Sequence, residues 1–330
     1  MTSTERARAA LAALASGDAI GKQTETLARD GVLRWYPDGV RGFEGRPGGI
    51  IPRYRGNKRR EWRIGETTDD TERTIAVARA ILRDPKISHV VVGEELLRCE
   101  KSVHPGVRSL WEFHQAGDPA RTAQGHDGCG AAIRVAPVGI FLSPEQLDRI
   151  IAGAHQVAVP THSGPLAIAA AAATAAGVSA AVEGWSAGEV LGFAIQAARL
   201  AEERWPPAGP GSISNAIQTI HADLMTGSEL SPDALAAAYF PDGPLTIVPL
   251  AVALATVTGS AGKSILLAAN VGGDSDSVAS IAGAIAGALS PETVLEDWCR
   301  VVEEVNAHDL PRLADQLARR RGQPPPEHIA

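Results

Sequence analysis

The chain has 330 residues, 45% hydrophobic and 21% charged, which is the make-up of a globular protein with one large or two small domains. A formal charge of −7 argues against general nucleic-acid binding, which needs a net basic face. Aromatic residues are only 4%, so the core has to come from Ala, Leu, Ile and Val, a mixture that lets helix axes approach closely.

Taken in chain order, residues 4–16 read as a helix running into Gly17-Asp18-Ala19-Ile20-Gly21, with the pattern reaching toward Glu25. Its charged residues Glu5, Arg6 and Arg8 break the apolar run that a signal peptide would need. Residues 29–66 are rich in Gly, Pro, Arg and Trp without periodicity and are expected to form a long basic loop. Trp35 and Tyr36 within it could stack on a base or pin the loop to the core. The arginines between Arg41 and Arg63 suit either a pyrophosphate or acidic partner, or plain solvent. A helix is predicted from Thr68, with an Asp69-x-x-Glu72 start and a stripe of Ile75, Ala78, Ile81 and Leu82. Short helices follow at 89–100 and 108–114, then an irregular Gly-rich stretch at 117–130 and an apolar one from Ile133 to Leu142. Further helices are predicted at about 144–158, 165–182, 186–204, 212–225, 231–239, 245–258, 262–269, 277–289, 291–306 and 308–320.

No run alternates long enough for a sheet, so the expected fold is all-α: a single compact orthogonal multi-helix domain over 1–322 with a disordered tail at 323–330. The Ala-rich stretch Leu166 to Val182 is short and weakly hydrophobic for a membrane span and reads as a buried helix. Cys99, Cys129 and Cys299 are widely spaced and odd in number, which suggests neither disulfides nor zinc and fits a cytoplasmic location.

Two motifs carry chemistry. In Thr68-Asp69-Asp70-Thr71 one Asp could cap the helix, but a second adjacent Asp adds repulsion that a cation would relieve. In Gly272-Gly273-Asp274-Ser275-Asp276-Ser277 the glycines permit a tight turn, and the Asp-x-Asp spacing lets two carboxylates converge before an apolar helix. Carboxylate and hydroxyl oxygens are hard ligands that select Mg²⁺, Mn²⁺ or Ca²⁺. The motifs stand about two hundred residues apart, so the fold has to join them.

These motifs, with three others in order, resemble the ADP-ribosylglycohydrolase family over roughly residues 10–320. Gly17-Asp18-Ala19-Ile20-Gly21 with Glu25 is similar to the family's Gly-Asp-x-x-Gly-x-x-x-Glu, and Thr68 to Thr71 to its Thr-Asp-Asp-Thr. The Gly128-Cys129-Gly130-Ala131 segment, Thr161-His162, and Gly272 to Ser277 with Ile281 to Ala288 resemble its remaining elements. The resemblance implies an all-helical fold, a two-metal site with Mg²⁺ or Mn²⁺, and Thr68, Asp69, Asp70, Asp274, Asp276 and Ser277 as metal ligands. It further implies that Gly128, Cys129, Gly130 and Ala131 offer backbone N–H groups to the ligand, with His162 and Ser163 flanking the same cleft. For His162-Ser163 the plain alternative is a helix-entry loop with Ser163 as cap. Three departures stand out: Ser275 and Ser277 replace Thr, Cys129 replaces a frequent Asn, and the 29–66 loop is long and basic.

By that resemblance the chain is expected to release ADP-ribose from a modified side chain or a small ADP-ribosyl compound; separately, it is expected to be a monomer acting on neither membranes nor nucleic acid. Such a reaction passes through an oxocarbenium-like transition state and needs a fixed ribose, an activated water and a base. Glu25, Asp69 and Asp276 are the catalytic candidates; Glu25 and the aspartates of the metal site are not separable as base from sequence. Two other functions compete: hydrolysis of a nucleoside-like ribosyl N-glycoside, and a non-catalytic binding or structural role on the same fold.

Overall fold

Four glycines set the central contact of the molecule. Helix α1 (Ser3–Gly21) and helix α13 (Ser275–Leu289) run antiparallel and nearly touch backbone to backbone. A Cβ on Gly17 would lie 2.2 Å from the Ala279 carbonyl oxygen, and one on Gly21 2.4 Å from that of Ser275. From the other side, a Cβ on Gly283 would lie 2.5 Å from the Ala13 oxygen, and one on Gly287 2.7 Å from that of Ala9. Hydrogen in place of a side chain at these positions is what brings the C-terminal end of α1 against the N-terminal end of α13.

The computed structural model describes residues 1–58, 60–101, 126–226 and 230–323. Among these, fifteen α-helices occur, and β structure is limited to an isolated bridge between Ile50 and Arg63. Between α1 and α13 come α2 (Arg29–Trp35), α3 (Asp69–Arg83), α4 (His89–Leu96), α5 (Ala136–Phe141) and α6 (Leu147–Ala158). They are followed by α7 (Pro165–Glu183), α8 (Ala187–Arg204), α9 (Ile213–Thr226), α10 (Pro232–Tyr239), α11 (Pro244–Thr258) and α12 (Ala261–Val271). Helices α14 (Glu296–Asn306) and α15 (Leu310–Ala318) close the described chain. The all-α expectation holds, and most predicted helices are present within a turn of their expected ends.

Helix α7 is long and apolar enough to cross a membrane by length and composition, but its apolar window is 89% buried inside the protein. It is a core helix, packed on α5, α6, α8 and α13. Its Ala side chains allow so many neighbours, and the left-handed Gly184 ends it.

The expected loop at 29–66 is not all loop. Arg29–Trp35 forms α2, with Asp30 in its first turn and Arg34 in its last, each suited to the helix dipole. With only Val32 buried, seven residues leave no periodic stripe to read. Beyond it, Asn270 holds the segment by a reciprocal pair, donating to the Val40 carbonyl and accepting from the Val40 N–H. Tyr36 is buried, whereas Trp35 is exposed, so Tyr36 is the residue that pins the segment to the core. The predicted helix at 108–114, the stretch 117–125 and the tail 324–330 lie outside the described residues.

Candidate active site

The first turn of α3 is built around a residue of α1. Asp18 is fully buried, and its carboxylate accepts the Thr68 N–H at 3.0 and 3.1 Å, the Thr71 N–H at 3.1 Å and the Thr71 hydroxyl. The helix is capped by the Thr68 hydroxyl, which accepts the Asp70 N–H at 3.1 Å. Neither Asp69 nor Asp70 is the cap, and Glu72 closes no capping box; it accepts instead from the backbone of Glu100 and Lys101. Both aspartates are thereby left for other work. Asp69 pairs with Arg73 at 3.3 Å, and the buried Asp70 accepts from Ser280 of α13 at 3.4 Å.

The start of α13 follows the same logic. Gly272 and Gly273 have φ of +87° and +66°, and a Cβ on either would strike the carbonyl oxygen of Leu27 or Pro241. The turn they make seats Asp274 at the N-cap position, yet its side chain makes no capping hydrogen bond. Its Oδ2 accepts instead from the Cys129 thiol at 3.2 Å. Ser275 turns inward, bonding the Gly21 carbonyl at 2.9 Å and so tying α13 to α1. Asp276 and Ser277 face the space left between the two helix starts.

From the end of α1 comes Glu25, hydrogen-bonded to the Lys22 ammonium, which also stands 3.9 Å from Asp276 Oδ2. The basic segment closes over this corner. Arg53 donates to the Glu25 and Lys22 carbonyls at 2.6 and 3.2 Å, and Lys22 lies 4.4 Å from the centre of the Trp62 ring. Part of the segment's positive charge thus caps the C-terminal end of α1.

The opposite wall is Gly128, Cys129, Gly130 and His162. A Cβ on Gly130 would lie 2.4 Å from His162 Cε1, so the ring packs directly on the glycine backbone. The Arg134 guanidinium donates to the Thr161 hydroxyl at 2.6 Å, and that hydroxyl is 2.6 Å from His162 Nδ1. The Thr161 hydroxyl thus ties the His162 ring, through Nδ1, to the buried Arg134. Helix α7 has its N-cap position at Gly164 rather than at Ser163, the residue of the plainer alternative. Asp127 caps it across the chain, accepting the Leu166 and Ala167 N–H groups at 2.8 and 3.2 Å.

These walls enclose a cleft of about 210 Å³ lined by Glu25, Asp69, Asp70, Arg73, Asp274, Asp276 and Ser277 with the glycine wall. That is below the roughly 300–1,000 Å³ that takes in a drug-sized ligand, so the cleft suits one sugar-sized group. Of the sequence candidates, Thr68, Ala131 and Ser163 do not line it; Thr68 and Ala131 are buried behind it. Arg73, His126 and Ile133 line it without having been expected.

Negative charge is crowded here. Burial, then the charges of Asp18, Asp69 and Asp274, push the Asp70 carboxyl well above the usual carboxylate range. Asp276 is raised likewise by burial and by Asp274 and Asp70, against the lowering pull of Lys22. Burial and the same neighbours push the Cys129 thiol up, which keeps it a donor to Asp274. The donor set, carboxylates and a hydroxyl on one wall, has the hard-oxygen chemistry that suits Mg²⁺ or Mn²⁺, and a cation would relieve the crowding. Among the described residues no three His, Cys, Asp or Glu side chains are drawn tightly enough to enclose an ion by themselves, so hydroxyls such as that of Ser277, backbone or water would complete the shell.

The sequence profile of the ADP-ribosylglycohydrolase family matches residues 1–327. The chain belongs to that family. As an ADP-ribosylglycohydrolase family member it is 28% identical to the uncharacterized protein YegU of Escherichia coli (strain K12), over 97% of this chain and 98% of that protein. It is 26% identical to the ADP-ribosylarginine hydrolase Tri1 of Serratia proteamaculans (strain 568), over 96% of this chain and 79% of Tri1. A solved structure titled ADP-ribosylglycohydrolase-related protein complex shares the fold, with a TM-score of 0.71, 22% identity and coverage of 96% of this chain and 98% of that one. Family membership supports a hydrolase of the glycohydrolase type.

Asp18 and Asp127 act at long range, on helix starts 50 and 39 residues away, and no local pattern announces that. Arg73 could have been found as the i+4 partner of Asp69 on the same helix face.

Proposed function

We propose that the protein hydrolyses the glycosidic bond of a ribose with the help of a bound divalent cation, releasing ADP-ribose from a modified side chain or a small ADP-ribosyl compound. The observation that carries this is the fate of the aspartates at the two helix starts. Thr68 caps α3, and Asp274 leaves α13 uncapped by its side chain, so Asp69, Asp70, Asp274 and Asp276 line one cleft with Glu25. Asp70, Asp274, Asp276 and Ser277 would hold the cation, Mg²⁺ or Mn²⁺. A cation there lowers the pKa of bound water and neutralises charge beside the ribose hydroxyls.

The chain's own residues supply the rest. The cleft admits the ribose and leaves the remainder of a larger ligand outside. His162 flanks the sugar from the glycine wall, beside the Gly128 and Gly130 backbone. The proton of the attacking water goes to Glu25 or Asp69, which line the cleft, are not fully buried and are left outside the carboxylates given to the cation. Each has a cation partner at the cleft, Lys22 for Glu25 and Arg73 for Asp69. Substitution separates them: Glu25→Gln and Asp69→Asn are compared by kcat at saturating substrate, and the base is the one whose loss cannot be restored by raising pH.

A substrate panel tests the reading. The protein is incubated with Mg²⁺ and an arginine-ADP-ribosylated protein, an O-linked ADP-ribosyl compound, or free ribonucleosides. The proposal expects release of ADP-ribose from an ADP-ribosyl substrate. Release of free base from nucleosides alone would replace it with an N-ribosyl hydrolase, and no turnover of any of them would overturn it.

A further inference from the structure

Lys22 is an unusual neighbour for a cation site. Its side chain is 9% exposed, and it reaches Glu25 by hydrogen bond and Asp276 at 3.9 Å. It cannot easily leave. The Trp62 ring lies 4.4 Å from its ammonium, the Arg60 guanidinium lies 4.1 Å from the same ring, and Arg53 and Tyr54 bind the carbonyl of Lys22 itself. An ammonium carries a tethered positive charge and three donors, and it has no acceptor. It draws on carboxylate oxygens that a divalent ion would also need, at about 2.0–2.6 Å.

We propose that Lys22 takes the place of one of the two divalent ions, so that the cleft binds a single one. The ion lies on the Asp70, Asp274 and Ser277 side, and the lysine serves Glu25 and the near oxygen of Asp276. This inference rests on the cation-assisted reading above. It also gives the aromatic part of the basic segment a purpose: Trp62 covers the ammonium and Tyr54 holds the Lys22 backbone, so that the lysine stays against Glu25 and Asp276 at the edge of the cleft.

Stoichiometry tests it directly. The full chain is stripped with chelator and titrated with Mn²⁺, with bound ions counted by calorimetry and their environment read by electron paramagnetic resonance. The expected result is one Mn²⁺ per chain with the hyperfine pattern of an isolated ion. Lys22→Met, which keeps the length and removes the charge, is expected to take up two, with the broadened signal of a coupled pair. Two ions in the unsubstituted protein would overturn the inference while supporting the cation reading. No ion in the unsubstituted protein would overturn both. One ion before and after the substitution, in a Lys22→Met protein whose circular dichroism is unchanged, would overturn the role given to Lys22. If that variant does not fold, Lys22→Gln replaces it under the same criteria, and the count in the unsubstituted protein still decides the first point.

Discussion

Replacing Asp18 by Asn is a small change with a large expected effect. The Asp18 carboxylate accepts two backbone N–H groups and one hydroxyl from the first turn of α3, all of them buried. In the amide one oxygen becomes an NH₂ donor. Whichever way it turns, a donor then faces a donor at Thr68 or Thr71. A hydrogen bond to a charged group contributes about 1.5–3 kcal/mol, and a buried donor left unsatisfied costs about 1–3 kcal/mol. Part of this is offset, because burial already pushes the Asp18 carboxyl up and the neutral amide escapes that penalty. The expected net loss is roughly 2–4 kcal/mol, a sizeable share of the 5–15 kcal/mol that holds a typical domain. Urea unfolding at pH 7.0 (a buffer condition of about neutral pH) should show a lower midpoint with an unchanged slope. The first turn of α3 carries Asp69 and Asp70, so kcat/KM should fall at least about tenfold while the protein is still folded, a change equivalent to about 1.4 kcal/mol. A shift under about 0.5 kcal/mol, the range of an inconsequential surface substitution, with unchanged activity would refute the claim that Asp18 sets the position of the aspartates.

Three further outcomes are expected. Gly283→Ala puts a methyl 2.5 Å from the Ala13 carbonyl oxygen and forces α1 and α13 apart; after the helix-propensity gain of alanine, thermal unfolding should report a loss of roughly 2 kcal/mol. His308 is pushed down to about 4 by burial and by the charges of Lys101 and Arg79, while its Nε2 lies 2.8 Å from the Thr67 hydroxyl. Its folded pKa is below the unfolded value, so the unfolded chain binds the proton first and stability is lost as pH falls from about 6.5 to 4. Between pH 7 and 5 the loss should be roughly 1–2 kcal/mol after allowance for solvent screening, and His308→Gln should flatten that part of the pH–stability curve. Thr161→Val removes the hydroxyl that joins Arg134 to His162 Nδ1; nitrogen chemical shifts of the ring should move at Nδ1 as that contact is lost, and KM should rise more than kcat falls.

Much of this architecture was legible in the sequence. The helix pattern was plain wherever an apolar stripe ran for several turns, as in α3 and α13, and it failed at α2, where one buried valine makes no stripe. The aspartates were visible as a chemical oddity because two adjacent carboxylates have no simple structural use. What they do at their helices was not visible, since the choice of Thr68 over Asp69 as cap depends on Asp18, fifty residues earlier in the chain. The same holds at α7, whose N-cap position is Gly164 and whose first-turn N–H groups are accepted by Asp127 from far back in the chain. Lys22 followed a recognised motif and still went unread, because its meaning lies in its reach to Asp276 of α13.

The central claim is that this cleft breaks a ribosyl bond with a cation held by its aspartates. The most direct measurement is ADP-ribose release from an ADP-ribosylated substrate under excess Mg²⁺, under EDTA, and under excess Mg²⁺ with Asp274→Asn. The account predicts release in the first case, and its loss in the second and third. Release that survives both EDTA and the loss of the Asp274 carboxylate would contradict it.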